Sequence, residues 1–228
     1  MHISELFYLT CSTHYTTTEG GVDYAFQEDG DTLYIFFQGS SQKVDWKNNF
    51  DFPKKPYRDM DIPYRVHRGF LKCWKEIEDI VISKIKTVNK NEFKYKKIIV
   101  SGYSHGGALA QFCHECVWYH RSDIRENCWS YGFEAPRIYG GFRVKKELRE
   151  RWAHFILIRN HKDIVTHVPP RFLGFCDLGT VLHIGRYQHY KNRTDCAGPE
   201  CIRSHYPDPV MDSLREVDFE VGHKENCK

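Results

Sequence analysis

The run "IIVSGYSHGGALAQF", residues 98–112, sets Ser104 between Gly102 and Gly106, where an apolar stretch meets a helix-forming one. A serine hydroxyl attacks a carbonyl only if a neighbouring base takes its proton, so it must project clear of the backbone toward a histidine from another segment. A sharp strand-to-helix turn achieves this. Such a turn brings the strand and helix backbones together, so the positions two before and two after the serine must lack side chains. The helix that starts there also aims free N–H groups at the site, favouring negative charge on a bound acyl group. G-x-S-x-G alone is a short pattern. Its flanks strengthen it: an apolar strand lies immediately before, and Gly107 and Ala108 allow close helix packing just after. The competing reading is a glycine-rich turn in which the serine only caps a helix.

An acid and then a histidine base should follow in that order. "FILIRNHKDIVTHVPP" puts Asp163 just past four apolar residues, on the same sheet edge as the serine turn, whereas Asp177 and Asp195 read as loop residues. Four histidines come after the acid. His167 is too near it in sequence to reach round from a separate loop, and His183 sits in an expected strand. His205, on the polar, proline-bounded "RSHYPDP", is the preferred base, with His183 and His189 as alternatives. A histidine base must be neutral, so rates should fall below about pH 6 to 7.

These residues need a frame, and side-chain periodicity supplies one. "DTLYIFFQG" (31–39), "KKIIVSG", "CWSYGFEA", "HFILIRN" and "TVLHIG" read as strands. Phe70, Trp74, Ile77, Val81, Ile85 and Val88 have the spacing of an amphipathic helix, and "GALAQFCHECVWYH" and "VKKELRERW" read as two more. Strands alternating with helices predict an α/β fold with a mostly parallel central sheet flanked by helices, and function at the carboxyl ends of the strands.

The 228 residues, 41% hydrophobic, suit one domain over 1–228, and no repeat or linker divides them. A formal charge of +3 from 33 basic and 30 acidic residues, spread along the chain, argues against nucleic-acid binding. The densest basic run, "KNEFKYKK" (90–97), reads as a solvated loop. There is no apolar run of about 18 residues and no basic start to a signal peptide. The expected location is cytoplasmic, or secreted if a leader has been removed. The nine cysteines then read as reduced thiols. Cys113 and Cys116 fall within a helix, where packing holds them. Cys196 and Cys201 leave a disulfide open, or with His205 a zinc site, although tighter cysteine spacing is usual for structural zinc. No cofactor or metal is expected, and no obligate protein partner is evident.

With these pieces in order, the chain resembles the class 3 lipases, fungal-type triacylglycerol lipases of the α/β-hydrolase fold. The match runs from about residue 20 to 215 and rests on "VHRGF" (66–70), "GYSHGGALAQF", "YGFEAPRIYG", "NHKDIVTHVPP", "LHIG" and "SHYPDP". The resemblance implies that the Ser40 N–H, after "FFQG", and the His105 N–H form the oxyanion hole, each contributing about 3 kcal/mol. His105 departs from the family, where an aliphatic residue is usual, and its imidazole is expected to pack. The resemblance also implies a lid over "SQKVDWKNNFDFPKKPYRD". Its apolar residues, Val44, Trp46, Phe50 and Phe52, lie among many charges, so weak interfacial activation is expected. The implied function is a serine carboxylic ester hydrolase acting on acylglycerol esters of short to medium chains. Its partners would be a lipid or small ester substrate and a transient lipid interface. A phospholipase or feruloyl-type esterase on the same triad, or a non-catalytic lipase-like binding protein, are the alternatives.

Overall fold

In the computed structural model, residues 1–39, 51–58, 60–185 and 204–222 are described. Helix α1 (Ile3–Ser12) precedes strands β1 (Thr16–Thr17), β2 (Asp23–Asp29), β3 (Thr32–Phe37), β4 (Lys54–Tyr57) and β5 (Tyr64–His67). Helix α2 (Arg68–Ile85) leads through the hairpin β6 (Val88–Asn89) and β7 (Glu92–Phe93) to β8 (Lys97–Tyr103) and α3 (His105–His120). Then come β9 (Cys128–Phe133), β10 (Tyr139–Gly140), the single turn α4 (Lys146–Arg149), β11 (Phe155–Asn160), β12 (Thr180–Ile184) and α5 (Pro207–Val217).

Seven strands form one sheet in the order β1-β2-β3-β8-β9-β11-β12. From β3 to β12 every pairing is parallel, and β1 and β2 add an antiparallel edge. This is the mostly parallel sheet that the alternation of strands and helices predicts. Successive strand residues point to opposite faces, and both faces are covered. Leu33, Ile35, Phe37, Ile98 and Val100 meet Trp74 and Ile77 of α2 and Phe112 of α3 on one side. Phe36, Ile99, Phe133, Ile156 and Ile158 meet Ile3, Leu6 and Phe7 of α1 and Val210 and Leu214 of α5 on the other. Each fully buried side chain of this size stabilises the fold by roughly 1.5–3 kcal/mol.

The apolar spacing from Phe70 to Ile85 lies on the buried face of α2, but the helix starts earlier, because the His67 imidazole accepts a hydrogen bond from the Phe70 N–H at 3.3 Å. It ends at Ile85, which puts Val88 in the exposed β6. "VKKELRERW" yields only one helical turn: Arg151 turns inward to Glu115 at 2.6 Å, and Trp152 is buried. "KNEFKYKK" contains a two-residue hairpin turn, with Lys90 and Asn91 at φ 49° and 67°. Cys73, Cys113, Cys116 and Cys128 are buried free thiols, and Cys11 and Cys176 are half-buried ones. Cys196 and Cys201 lie outside the described residues.

Candidate active site

Ser104 occupies the turn between β8 and α3 at φ 53°, where an L-residue sits only under constraint. Two glycines allow that constraint. A Cβ on Gly102 would lie 2.1 Å from the carbonyl oxygen of Gly106, and one on Gly106 would lie 2.1 Å from that of Phe37. The Ser104 N–H donates to the carbonyl of Phe133 at 2.8 Å, tying the turn to the neighbouring strand β9.

The serine side chain meets its partners from two distant segments. Ser104 Oγ stands 2.9 Å from His205 Nε2, and His205 Nδ1 stands 2.8 Å from Asp163 Oδ2. With Nδ1–H donating to the carboxylate, Nε2 carries the lone pair that accepts the serine proton. Asp163 follows β11 and is 1% exposed, with Oδ1 accepting from the Val165 N–H at 2.9 Å. His205 lies on the turn directly before Pro207, which opens α5 in the position that proline favours. The expected serine, acid and histidine are therefore one hydrogen-bonded chain.

The other histidines are elsewhere. His183 is in β12, beside Arg159 in register, and His167 Nδ1 is 3.0 Å from the Asp163 main-chain carbonyl. His189 lies outside the described residues. His105 opens α3, where a helix leaves its first N–H groups without intrahelical acceptors, and its buried ring packs 5.5 Å from that of Phe70. Ser40, Val44, Trp46 and Phe50 lie outside the described residues. Phe52 is half-buried, its ring edge-on to His67 at 5.6 Å, so it braces the start of α2 instead of forming a free apolar face.

Three residues that the sequence reading passed over hold the chain of hydrogen bonds in place. The Tyr103 hydroxyl donates to the His205 carbonyl, and its ring stacks on the imidazole at 5.3 Å. Burial pushes that phenol up, so it remains a donor. Asn160 Nδ2 donates to the Ser204 carbonyl at 3.0 Å. Glu134, wholly buried just after β9, accepts from the Asn160 N–H at 2.6 Å. Burial, then the Asp163 charge, push the Glu134 carboxyl well above the usual carboxylate range. The sequence signal was a carboxylate directly after the apolar strand "CWSYGF", at the sheet edge where function gathers.

Potential ligand atoms of Glu134, Asp163 and His205 lie within 4.8 Å of one another. A cation there would have to displace the Nδ1 proton that joins His205 to Asp163, so the set fits acid–base work better than metal binding. Two surface hollows, of about 510 and 260 Å³, are lined by Arg143, Arg171 and Phe175 among others, and by His161, Pro209 and Asp212 among others. Neither is lined by Ser104, His205 or Asp163. A nucleophile activated by an oriented imidazole, beside the N-terminus of α3, is equipped for acyl transfer.

Comparison with known proteins bears on the family and the fold. The family described as lipase (class 3) matches residues 34–173. A lipase of Rhizomucor miehei is 28% identical over 153 residues, which is 65% of this chain and 40% of that protein. The chain thus spans well under half the length of that curated relative. Among solved structures, a triacylglycerol lipase whose catalytic centre is a serine protease triad aligns with a TM-score of 0.67 at 21% identity, over 84% of this chain and 77% of that one. Lipase II from Rhizopus niveus aligns with a TM-score of 0.65 at 20% identity, over 86% and 79%. At these identities the structures share the fold.

Proposed function

The chain belongs to the class 3 lipase family, and from that premise we propose that it is a serine carboxylic ester hydrolase acting on acylglycerol esters. The observation that carries this reading is the hydrogen-bonded chain from Ser104 Oγ through His205 to Asp163. His205 Nε2 takes the hydroxyl proton as Ser104 Oγ attacks the ester carbonyl, and the oxyanion is held by main-chain N–H groups, that of His105 among them. The imidazolium then protonates the departing alcohol. Water, deprotonated by the same nitrogen, attacks the acyl-serine, and the proton returns to Oγ as the fatty acid leaves. Asp163 keeps Nδ1 protonated and stabilises the cation between these steps.

The preferred substrates are dispersed esters of short to medium chains, met at a lipid interface only transiently. Support comes from the segment 41–59, where four apolar side chains lie among many charges, and from Phe52, which packs inward on His67. The working compartment is a reducing one such as the cytoplasm, a reading that draws on the six described cysteines, all unbonded.

The test is release of p-nitrophenol from butyrate and palmitate esters by wild type, Ser104→Ala and His205→Ala. Both variants should fold and lose on the order of 10⁴-fold or more in kcat, as members of a cooperative triad do, and butyrate should be cleaved faster than palmitate. A wild-type protein inert on both esters and unlabelled by a fluorophosphonate would end the hydrolase reading.

A further inference from the structure

We infer that Glu134 is a positioning residue for this hydrolysis: as the neutral acid it donates a hydrogen bond to the Asp163 carboxylate and fixes the orientation in which Asp163 receives His205. The inference rests on the hydrolase reading and adds a fourth member to the machinery.

The backbone gives the first argument. Glu134 sits at φ 51°, in the left-handed region where a residue with a Cβ is strained and a glycine would not be. A large acid held there, wholly out of water, is tolerated only where the surroundings fix it. Its N–H donates to the Ile158 carbonyl at 2.9 Å, and Oε1 accepts from the Asn160 N–H at 2.6 Å, so both ends of the residue are bound to β11.

Proton placement gives the second argument. Oε2 receives no N–H or O–H donor among the described residues, and the group it faces is the Asp163 carboxyl. Two buried carboxyls so close cannot both be ionised, and the proton belongs to the one less solvated by donors. Asp163 has the Val165 N–H on one oxygen and the His205 Nδ1–H on the other, whereas Glu134 has the Asn160 N–H alone. The proton therefore resides on Glu134. Burial and the Asp163 charge act the same way. Around Glu134 stand Asp163 and Arg159 from the β11 side, His205 from the turn before α5, and Tyr103 from β8. Arg159 opposes the protonated form, but it donates to Asp177 at 2.5 Å.

A neutral donor behind Asp163 holds it against rotation while adding no second negative charge near the imidazolium. Through Asn160, which also donates to Ser204, the same residue steadies the turn that carries His205. Loss of the Glu134 proton replaces a hydrogen bond by repulsion, so kcat should fall on the alkaline side.

The experiment measures kcat, KM and pH profiles on p-nitrophenyl butyrate for wild type, Glu134→Ala and Glu134→Gln, with fluorophosphonate labelling of Ser104 alongside. Glu134→Ala should lower kcat on the order of 10²-fold, the size of effect that small misplacements produce, with KM changed less than about twofold. Glu134→Gln keeps an acceptor for Asn160 and an N–H donor for Asp163. It should recover kcat to within about fivefold of wild type and lack the alkaline fall while keeping the acid one. Equal rates for Ala and Gln, or three profiles that superpose, overturn the role of Glu134. If neither variant folds, Glu134→Asp decides, because it keeps the carboxyl but shortens its reach to Asp163, and a kcat equal to wild type overturns the role. Wild type that neither labels nor turns over sinks the hydrolase reading instead, so the two failures are distinguishable.

Discussion

Ser104 holds its strained φ of 53° because strand β8 and helix α3 approach within backbone contact on either side of it. Gly102 shows what that contact is worth. Adding a Cβ places it 2.1 Å from the Gly106 oxygen, an atom of a helix main chain that cannot swing aside. Gly102→Ala should therefore cost at least the roughly 3 kcal/mol at the top of the usual overpacking range. It should also lower kcat on the order of 10²-fold, since the Oγ–Nε2 alignment depends on the same contact. Urea unfolding and ester kinetics check both. Gly30→Ala is the contrast, because its Cβ meets nothing within 4 Å and only its φ of 58° is penalised, at about 1 kcal/mol. A Gly102→Ala protein as stable and active as Gly30→Ala would mean that the strand and helix can separate freely. At this scale the sequence was legible: a serine that must project from a tight turn leaves glycines two positions away on each side. Glu134 and Asn160 were not, because a polar residue after an apolar strand looks the same whether it enters a loop or turns back into the core.

Elements were legible where one side-chain period persisted. The spacing of α2 and the runs of β3, β8 and β11 marked them because each spends a whole face against the core. The single turn α4 misled because Arg151 and Trp152, which continue its helical pattern, are taken by Glu115 and the core. α5 was hidden behind the prolines of "HYPDP", which start the helix instead of barring it. Asp177 read as a loop residue because its partners come from separate elements. Its nearly buried side chain accepts from Arg137 at 2.9 Å, from Arg159 of β11 at 2.5 Å and from Arg171 at 3.0 Å. Arg137 also donates to the carbonyls of His167 and Pro169, so the cluster secures the segment that follows Asp163. Burial opposes ionisation of Asp177, yet the charges of Arg159 and Arg137 bring its carboxyl down to about 2. Its stabilisation is then complete above the unfolded value near 4 and is lost as pH falls from about 4 through about 2. Asp177→Asn leaves two buried guanidinium groups poorly matched and should cost about 3–5 kcal/mol at pH 7. Unfolding experiments should show that difference shrinking as the pH approaches 2. A constant difference across the range would remove the charge from the explanation.

Across the whole molecule, α1 and α5 lie together on one face of the sheet, and the outermost described segments pair with each other. The Ile3 N–H donates to the Phe219 carbonyl at 2.9 Å, and the Val221 N–H to the Met1 carbonyl at 3.1 Å. Thr10 of α1 and Ser101 of β8 share a buried hydrogen bond of 2.6 Å, so the opening helix also supports the strand that leads to Ser104. The helix after His205 is thus clasped by the beginning of the chain. Residues 1–3 and 219–221 are held side by side by hydrogen bonds, as neighbours without a peptide bond between them. A circular permutant, with residue 228 fused to residue 1 and new ends cut between Lys90 and Asn91, severs a small exposed hairpin that pairs with no other strand among the described residues. It should fold and keep kcat within about threefold of the parent, which ester kinetics can read directly. Collapse of activity would show that the order of synthesis, and not the final set of contacts, is what brings the histidine to the serine.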